Sequence, residues 1–116
     1  MTRSYDELGE NKKALDLTKK VLNKMESLFG KYSYHYAISL SNLAMLFHEL
    51  GQFSVSLEKN IQTLKIFEKL YGKNNLDYAR TLNNLALVYS DLGDYNKGLK
   101  MMIQSSETYI NLYGEN

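Results

Sequence analysis

Residues 79–99 read ARTLNNLALVYSDLGDYNKGL, and the pattern of this segment extends over the whole chain. Its apolar residues recur at intervals of three and four, which places them on one face of an α-helix. The pair Leu92-Gly93 ends this pattern, and a glycine there can adopt the left-handed conformation that stops a helix. Asp94 follows as a good N-cap residue. The segment therefore predicts one helix, a tight turn and the start of a second helix.

The same pattern occurs 42 residues earlier. Residues 37–74 aligned with 79–116 give 14 identities in 38 positions without a gap. Six of the seven glycines form two series with this spacing: Gly9, Gly51, Gly93 and Gly30, Gly72, Gly114. Each unit predicts a helix of about 16 residues, a Leu-Gly stop, a second helix of about 18 residues and a short polar turn.

The predicted fold class is an all-α solenoid of antiparallel helix pairs, with about two and a half repeats in a single domain at 1–116. We expect a partial repeat at 1–32 and two whole repeats at 33–74 and 75–116. The first unit is expected to contain only the end of its first helix, before a stop at Leu8-Gly9. Small residues predict where paired helices come closest, namely Ala44 and Ala86 in the first helices and Ala14, Ser56 and Gly98 in the second.

The composition excludes several kinds of site. The 116 residues include no cysteine, so disulfides, thiol nucleophiles and cysteine-ligated metals are ruled out. A net charge of +1 argues against a basic nucleic-acid or membrane surface. The longest apolar runs, 43–47 and 85–89, are far shorter than the ~20 residues that span a bilayer. We therefore expect no cofactor, no nucleic acid and no membrane partner, and a cytoplasmic protein.

The repeat resembles the tetratricopeptide repeat, specifically the 42-residue form of the kinesin light chain. The resemblance is carried by Ala-x-x-Leu-Asn-Asn-Leu-Ala-x-x-Tyr-x-x-x-Gly-x-Tyr within 79–95 and by its variant in 37–53. The turn before each alanine departs from the family pattern because it lacks proline. The resemblance implies an α-solenoid whose first helices line a concave groove, where a protein or peptide partner binds.

The candidate groove residues lie opposite the predicted packed face of each first helix. The resemblance assigns Asn42 and Asn84 to the position that holds a ligand backbone, and Arg80 to a position that faces acidic ligand groups. Helical geometry adds the apolar residues Met45 and Leu87. The full predicted set is Ile38, Ser41, Asn42, Met45, His48, Arg80, Asn83, Asn84, Leu87 and Ser90.

No pattern typical of an enzyme is present. His35 and His48 have no cysteine or convergent carboxylates beside them, and the sequence lacks a phosphate-binding loop and a nucleophile–base pair. We expect a scaffold or adaptor without catalytic activity, and enzymatic function only through a domain outside this chain. Tyr32, Tyr34 and Tyr36 form an aromatic cluster in a turn, which the repeat pattern does not explain.

A second hypothesis is that the repeats drive self-association. The shortened first unit would leave the helix face with Leu15, Leu22 and Met25 partly uncovered. At the other end, Ile103, Tyr109 and Leu112 would lack a covering helix. A homodimer through uncapped ends is the expectation of this alternative.

Overall fold

A computed structural model describes the backbone of residues 5–114 and the side chains of residues 9–114. The helices of this part are, in chain order, α1 (Tyr5–Phe29), α2 (Tyr34–Glu49), α3 (Phe53–Tyr71), α4 (Leu76–Asp91) and α5 (Tyr95–Tyr113). Each helix packs against the next one along the chain. The described chain contains no strand, so the predicted all-α solenoid of helix pairs is confirmed.

The two helix pairs α2–α3 and α4–α5 have the same dimensions. Their first helices have 16 residues each and their second helices 19. Between the helices of a pair, Leu50 and Leu92 end the first helix and the following Gly51 and Gly93 have φ angles of 79° and 89°. The left-handed Leu-Gly stop is therefore confirmed in both pairs.

The N-caps show how each helix begins. The Asp94 carboxylate accepts a hydrogen bond from Lys97 N–H, as predicted, whereas Gln52 makes no side-chain cap. Two caps not anticipated from the sequence are the repeat-related Ser33 and Asn75. Ser33 Oγ accepts from Tyr36 N–H at 3.2 Å, and Asn75 Oδ1 accepts from Asp77 N–H at 2.8 Å.

The predicted stop at Gly9 is wrong. Gly9 lies inside α1, which runs for 25 residues without a break, and its φ angle is not positive. A glycine inside a helix costs only about 1 kcal/mol relative to alanine, which the hydrogen bonds of a continuous helix can offset. The end of the expected first helix and the following second helix are therefore one helix.

The core lies where neighbouring helices meet. Ala37 and Leu40 of α2 pack with Ile66 and Phe67 of α3, and Leu22 of α1 packs against this cluster. Tyr36 packs there too, so one of the three tyrosines of the α1–α2 turn has a structural role. In the other pair the side chains of Leu82, Leu85 and Ala86 are fully buried.

Helices α4 and α5 approach most closely at Gly98. A Cβ atom built there would lie 2.9 Å from Ser90 Oγ and 3.0 Å from the Ala86 carbonyl oxygen. The equivalent Ser56 is completely buried between α2 and α3, and Ala44 and Ala86 are completely buried as well. The predicted close contact is confirmed between α4 and α5, and the small residues of α2 and α3 are buried.

Candidate partner-binding groove

A cavity of about 190 Å³ lies between α2 and α4, with α3 behind it. Met45 and Leu87, which are about half exposed, form apolar walls together with the buried Val88. The eight lining residues are Ser41, Met45, His48, Ser56, Asn60, Asn84, Leu87 and Val88. We call this recess the α2–α4 cavity. Half of the predicted groove residues line it: Ser41, Met45, His48, Asn84 and Leu87.

The α3 side of the cavity is polar although it is buried. Asn60 is only 3% exposed, and its Nδ2 donates a long hydrogen bond of 3.4 Å to Ser56 Oγ. A carboxamide can donate two hydrogen bonds and accept two, so most of the capacity of Asn60 is unused. An amide or hydroxyl of a ligand could bind there.

A polar contact joins α2 and α4 beside the cavity. His48 Nε2 and Asp91 Oδ2 lie 2.5 Å apart, and the His48 ring also packs at 5.1 Å from the Phe53 ring. Both polar side chains are partly exposed, at 34% and 43%. This pair connects two successive repeats directly, and sequence reasoning did not anticipate it.

Repeat equivalence explains why other candidates lie elsewhere. Residues 42 positions apart take equivalent places, so Asn42 corresponds to Asn84, but only Asn84 lines the cavity. Asn83 and Ser90 correspond to Ser41 and His48, and Ser90 lies against Gly98 of α5. Asn42 and Asn83 are exposed. Asn42, Asn83 and Ser90 therefore lie outside the lining of the α2–α4 cavity.

The equivalent candidates Ile38 and Arg80 are also outside the cavity lining. Ile38 is half-buried and packs against the core cluster of α2 and α3, which gives it a structural role. Arg80 is exposed, and no ion pair is recorded for it within the described chain. Its guanidinium is available to an acidic group in solution.

Three lining residues, Ser56, Asn60 and Val88, were missed by sequence reasoning. Ser56 had been assigned only to helix packing. The signal for Asn60 is a carboxamide at a position that helical periodicity places on the buried side of α3, because a buried polar group normally has a hydrogen-bonding role. Val88 follows the apolar Leu87 without any distinguishing feature.

Ionisable groups in the described part of the chain lack the clustering that a metal site needs. No group of three metal-ligating side chains occurs among those residues. Burial, reinforced by the negative charge of Glu68, raises the pKa of Tyr78 above 10.0. Tyr78 lies in α4 on a second, polar recess away from the α2–α4 cavity. None of the described helices is long and apolar enough to cross a bilayer.

The comparisons with known proteins agree with this architecture. The tetratricopeptide repeat family model matches residues 55–111. Among solved structures, the chain is similar to the crystal structure of BtubC (BKLC) from P. vanneervenii, with 18% identity and a TM-score of 0.60. The alignment covers 97% of this chain and 61% of that one, so this chain spans less than two thirds of its length. No curated protein matches the sequence significantly.

At 18% identity the structural similarity shows the fold alone. The family model and the repeated helix pairs rest on different observations, namely residue patterns and geometry, and the two agree. The chain carries tetratricopeptide repeat sequence at residues 55–111.

Proposed function

We propose that the chain is a protein-interaction module that binds a segment of a partner protein between α2 and α4. Tetratricopeptide repeats generally mediate protein–protein interactions. The α2–α4 cavity is the observation that supports this site, because it combines half-exposed apolar walls with a buried carboxamide. We assign the repeats to 33–74 and 75–116, with 1–32 as a partial repeat.

The proposed contacts divide into two kinds. Met45 and Leu87 contact an apolar side chain of the partner, and burying one such side chain contributes roughly 1.5–3 kcal/mol. Asn60 and Asn84 hydrogen-bond its main chain, since a carboxamide matches the paired donor and acceptor of a peptide unit. Ser41 and His48 extend the surface along α2, and Arg80 extends it along α4.

A peptide panel tests the cavity, with binding measured by fluorescence anisotropy for the native chain and for Asn84→Ala and Leu87→Ala variants. We expect selected peptides to bind each variant at least about tenfold more weakly, since truncating a central contact commonly costs more than 1.4 kcal/mol. Asn42→Ala is the matched control because it removes the same side chain at the equivalent position outside the cavity. Equal affinity for the native chain and the Asn84 and Leu87 variants would reject the proposed site.

Self-association is a second candidate function, supported by exposed apolar side chains on the first and last helices. On α1 the most exposed aliphatic side chains are Leu17 and Leu28, and on α5 they are Leu99, Ile103 and Ile110. Leu15, Leu22 and Met25, which the sequence placed on this surface, are half-buried. On α1 the surface available for association is therefore adjacent to the predicted one. On α5 the predicted Ile103 is exposed, while Tyr109 and Leu112 are half-buried.

Sedimentation equilibrium tests this second candidate. We expect a dimer at high micromolar concentration, weakened by Leu99→Glu plus Ile103→Glu. Leu92→Glu, a half-exposed leucine outside both helices, is the control for added charge. A native chain that remains monomeric at that concentration would exclude self-association.

A further inference from the structure

An exposed group of aromatic rings surrounds the α1–α2 turn and the end of α3. Its members are Phe29, Tyr32, Tyr34, His35 and Tyr71, and we call it the aromatic edge. Phe29, Tyr32, Tyr34 and Tyr71 are 44–60% exposed. Large exposed apolar groups that lie together commonly mark interaction sites, and tyrosine is enriched at interfaces.

Ring contacts make this edge one continuous surface. The Phe29 and His35 rings stack with centroids 4.2 Å apart, and the Tyr34 ring meets the His35 ring edge-on at 6.1 Å. Phe67 links the two sides, with centroids 6.2 Å from both Tyr34 and Tyr71. The rings of α1, of the start of α2 and of α3 are therefore held together before any partner binds.

The turn itself is also fixed. Ser33 Oγ donates to the Gly30 carbonyl oxygen at 2.9 Å and accepts from the Tyr36 N–H. Side chains on a fixed turn lose less conformational entropy on binding than side chains on a mobile one. Tyr32 and Tyr34 are thus preorganised for contact.

An aromatic ring recurs at Phe29, Tyr71 and Tyr113, but the repeat does not require the rings of the α1–α2 connection. One unit later, the residues equivalent to Tyr32, Tyr34 and His35 are Asn74, Leu76 and Asp77, and the α3–α4 turn begins α4 equally well. The repeat architecture therefore does not account for the tyrosines at positions 32 and 34, and their explanation must be specific to this connection.

The charge of the edge is positive although the chain is nearly neutral. Lys69 Nζ lies over the Tyr32 ring at 4.1 Å from its centroid, and Lys31 and Lys73 lie in the adjoining turns. Neither 27–35 nor 69–76 contains a carboxylate. Glu68, which precedes the second of these ranges, exerts its negative charge on Tyr78 of α4.

We propose that the aromatic edge is a second interaction surface, separate from the α2–α4 cavity, and that it binds an acidic segment of a protein partner. The lysines attract carboxylates. The hydroxyls of Tyr32, Tyr34 and Tyr71, for which the described structure records no hydrogen bond, donate to them. Single-stranded nucleic acid fits less well, because His35 covers a face of Phe29 and Lys69 covers a face of Tyr32, and bases need open ring faces for stacking.

The probe is a fluorescent random copolymer of glutamate and tyrosine, and its binding to the whole chain is measured by anisotropy at low and high salt. We expect salt-sensitive binding that weakens at least about tenfold in Tyr32→Ala plus Lys69→Ala, the change expected when a central aromatic and a charged contact are removed. Tyr95→Ala plus Lys97→Ala, which removes an exposed tyrosine and an exposed lysine of α5, is the matched control and should reduce binding less than about threefold. Circular dichroism verifies that both double variants remain folded.

Nuclear magnetic resonance titration locates the bound copolymer. Chemical-shift changes should concentrate at residues 29–35 and 69–71, and the Leu87→Ala variant should bind the copolymer as the native chain does, even if peptide binding to the cavity fails. Three results would overturn the proposal: no binding, shift changes concentrated at the α2–α4 cavity, or tighter binding of a single-stranded oligothymidylate than of the copolymer.

Discussion

Gly98 and Gly9 are both helical glycines, yet their surroundings are opposite. A Cβ at Gly98 would meet the Ala86 carbonyl oxygen and Ser90 Oγ at 3.0 and 2.9 Å, whereas a Cβ at Gly9 would meet nothing within 4 Å. The backbone oxygen cannot rotate away as the serine hydroxyl can. Close helix packing therefore explains the glycine at 98, whereas none of the described residues requires the one at 9.

This difference predicts opposite effects of two alanine substitutions. Gly98→Ala should lower the free energy of unfolding by about 1–3 kcal/mol, the usual cost of overpacking, despite the better helix propensity of alanine. Gly9→Ala should raise it by up to about 1 kcal/mol. Urea denaturation followed by circular dichroism measures both. A stabilised Gly98→Ala variant would contradict this prediction, because it would show that α4 and α5 can move apart enough to admit the added methyl group.

Tyr78 should make stability depend on alkaline pH. Its pKa is raised above 10.0 by burial and by Glu68, so the folded chain retains the phenolic proton more strongly than the unfolded chain. This contribution is fully present below pH 10 and is lost as the pH rises from there through the higher folded pKa. The free energy of unfolding should therefore decrease more steeply above pH 10 in the native chain than in Tyr78→Phe. Parallel decreases in the two proteins would contradict this assignment.

At the level of helices, the sequence predicted α2 to α5 well because each boundary depends on nearby residues. The Leu-Gly stops, the Asp94 cap and the small residues at Ser56 and Gly98 are local signals with local consequences. The predicted helix stop at Gly9 was wrong because glycine permits a helix to end without forcing it to end.

The candidate site was less predictable because it forms between repeats. Helical periodicity alone placed Ser90 with the groove residues, but the approach of α5 at Gly98 assigns it to the helix pair. The pairing of His48 with Asp91 depends on the distance between α2 and α4, which packing on α3 determines. Spacing along one helix contains no information about that distance.

Helices should also differ in local stability. None of the described side chains of α1 is buried, whereas α4 buries seven residues from Tyr78 to Val88. Segments with few buried contacts open at lower free energy than the core. Amide hydrogen exchange should therefore be fastest in α1 and slowest in α4, when compared residue by residue in the helix centres. Equal protection of the two helices would imply that α1 is covered in solution, for example by a second copy.

For the whole molecule, the order of helices limits how binding surfaces are distributed. The α2–α4 cavity is at one face of the junction between repeats, and the aromatic edge lies at the turn where α1, α2 and α3 meet. Helices α2 and α3 contribute to both. A partner that spans both surfaces would gain avidity from the fixed distance between them, without a linker that must be ordered.

Met45 and Leu87 occupy the same position in successive repeats, and both line one cavity from opposite sides. In a continuing array, a residue at this position would form the far wall of one recess and the near wall of the next. If a unit were duplicated, the new recess would share one of its walls with the recess that existed before. By the same geometry, a mutation at this position would change two adjoining recesses together. The binding specificity of one recess could then not evolve independently of that of its neighbour.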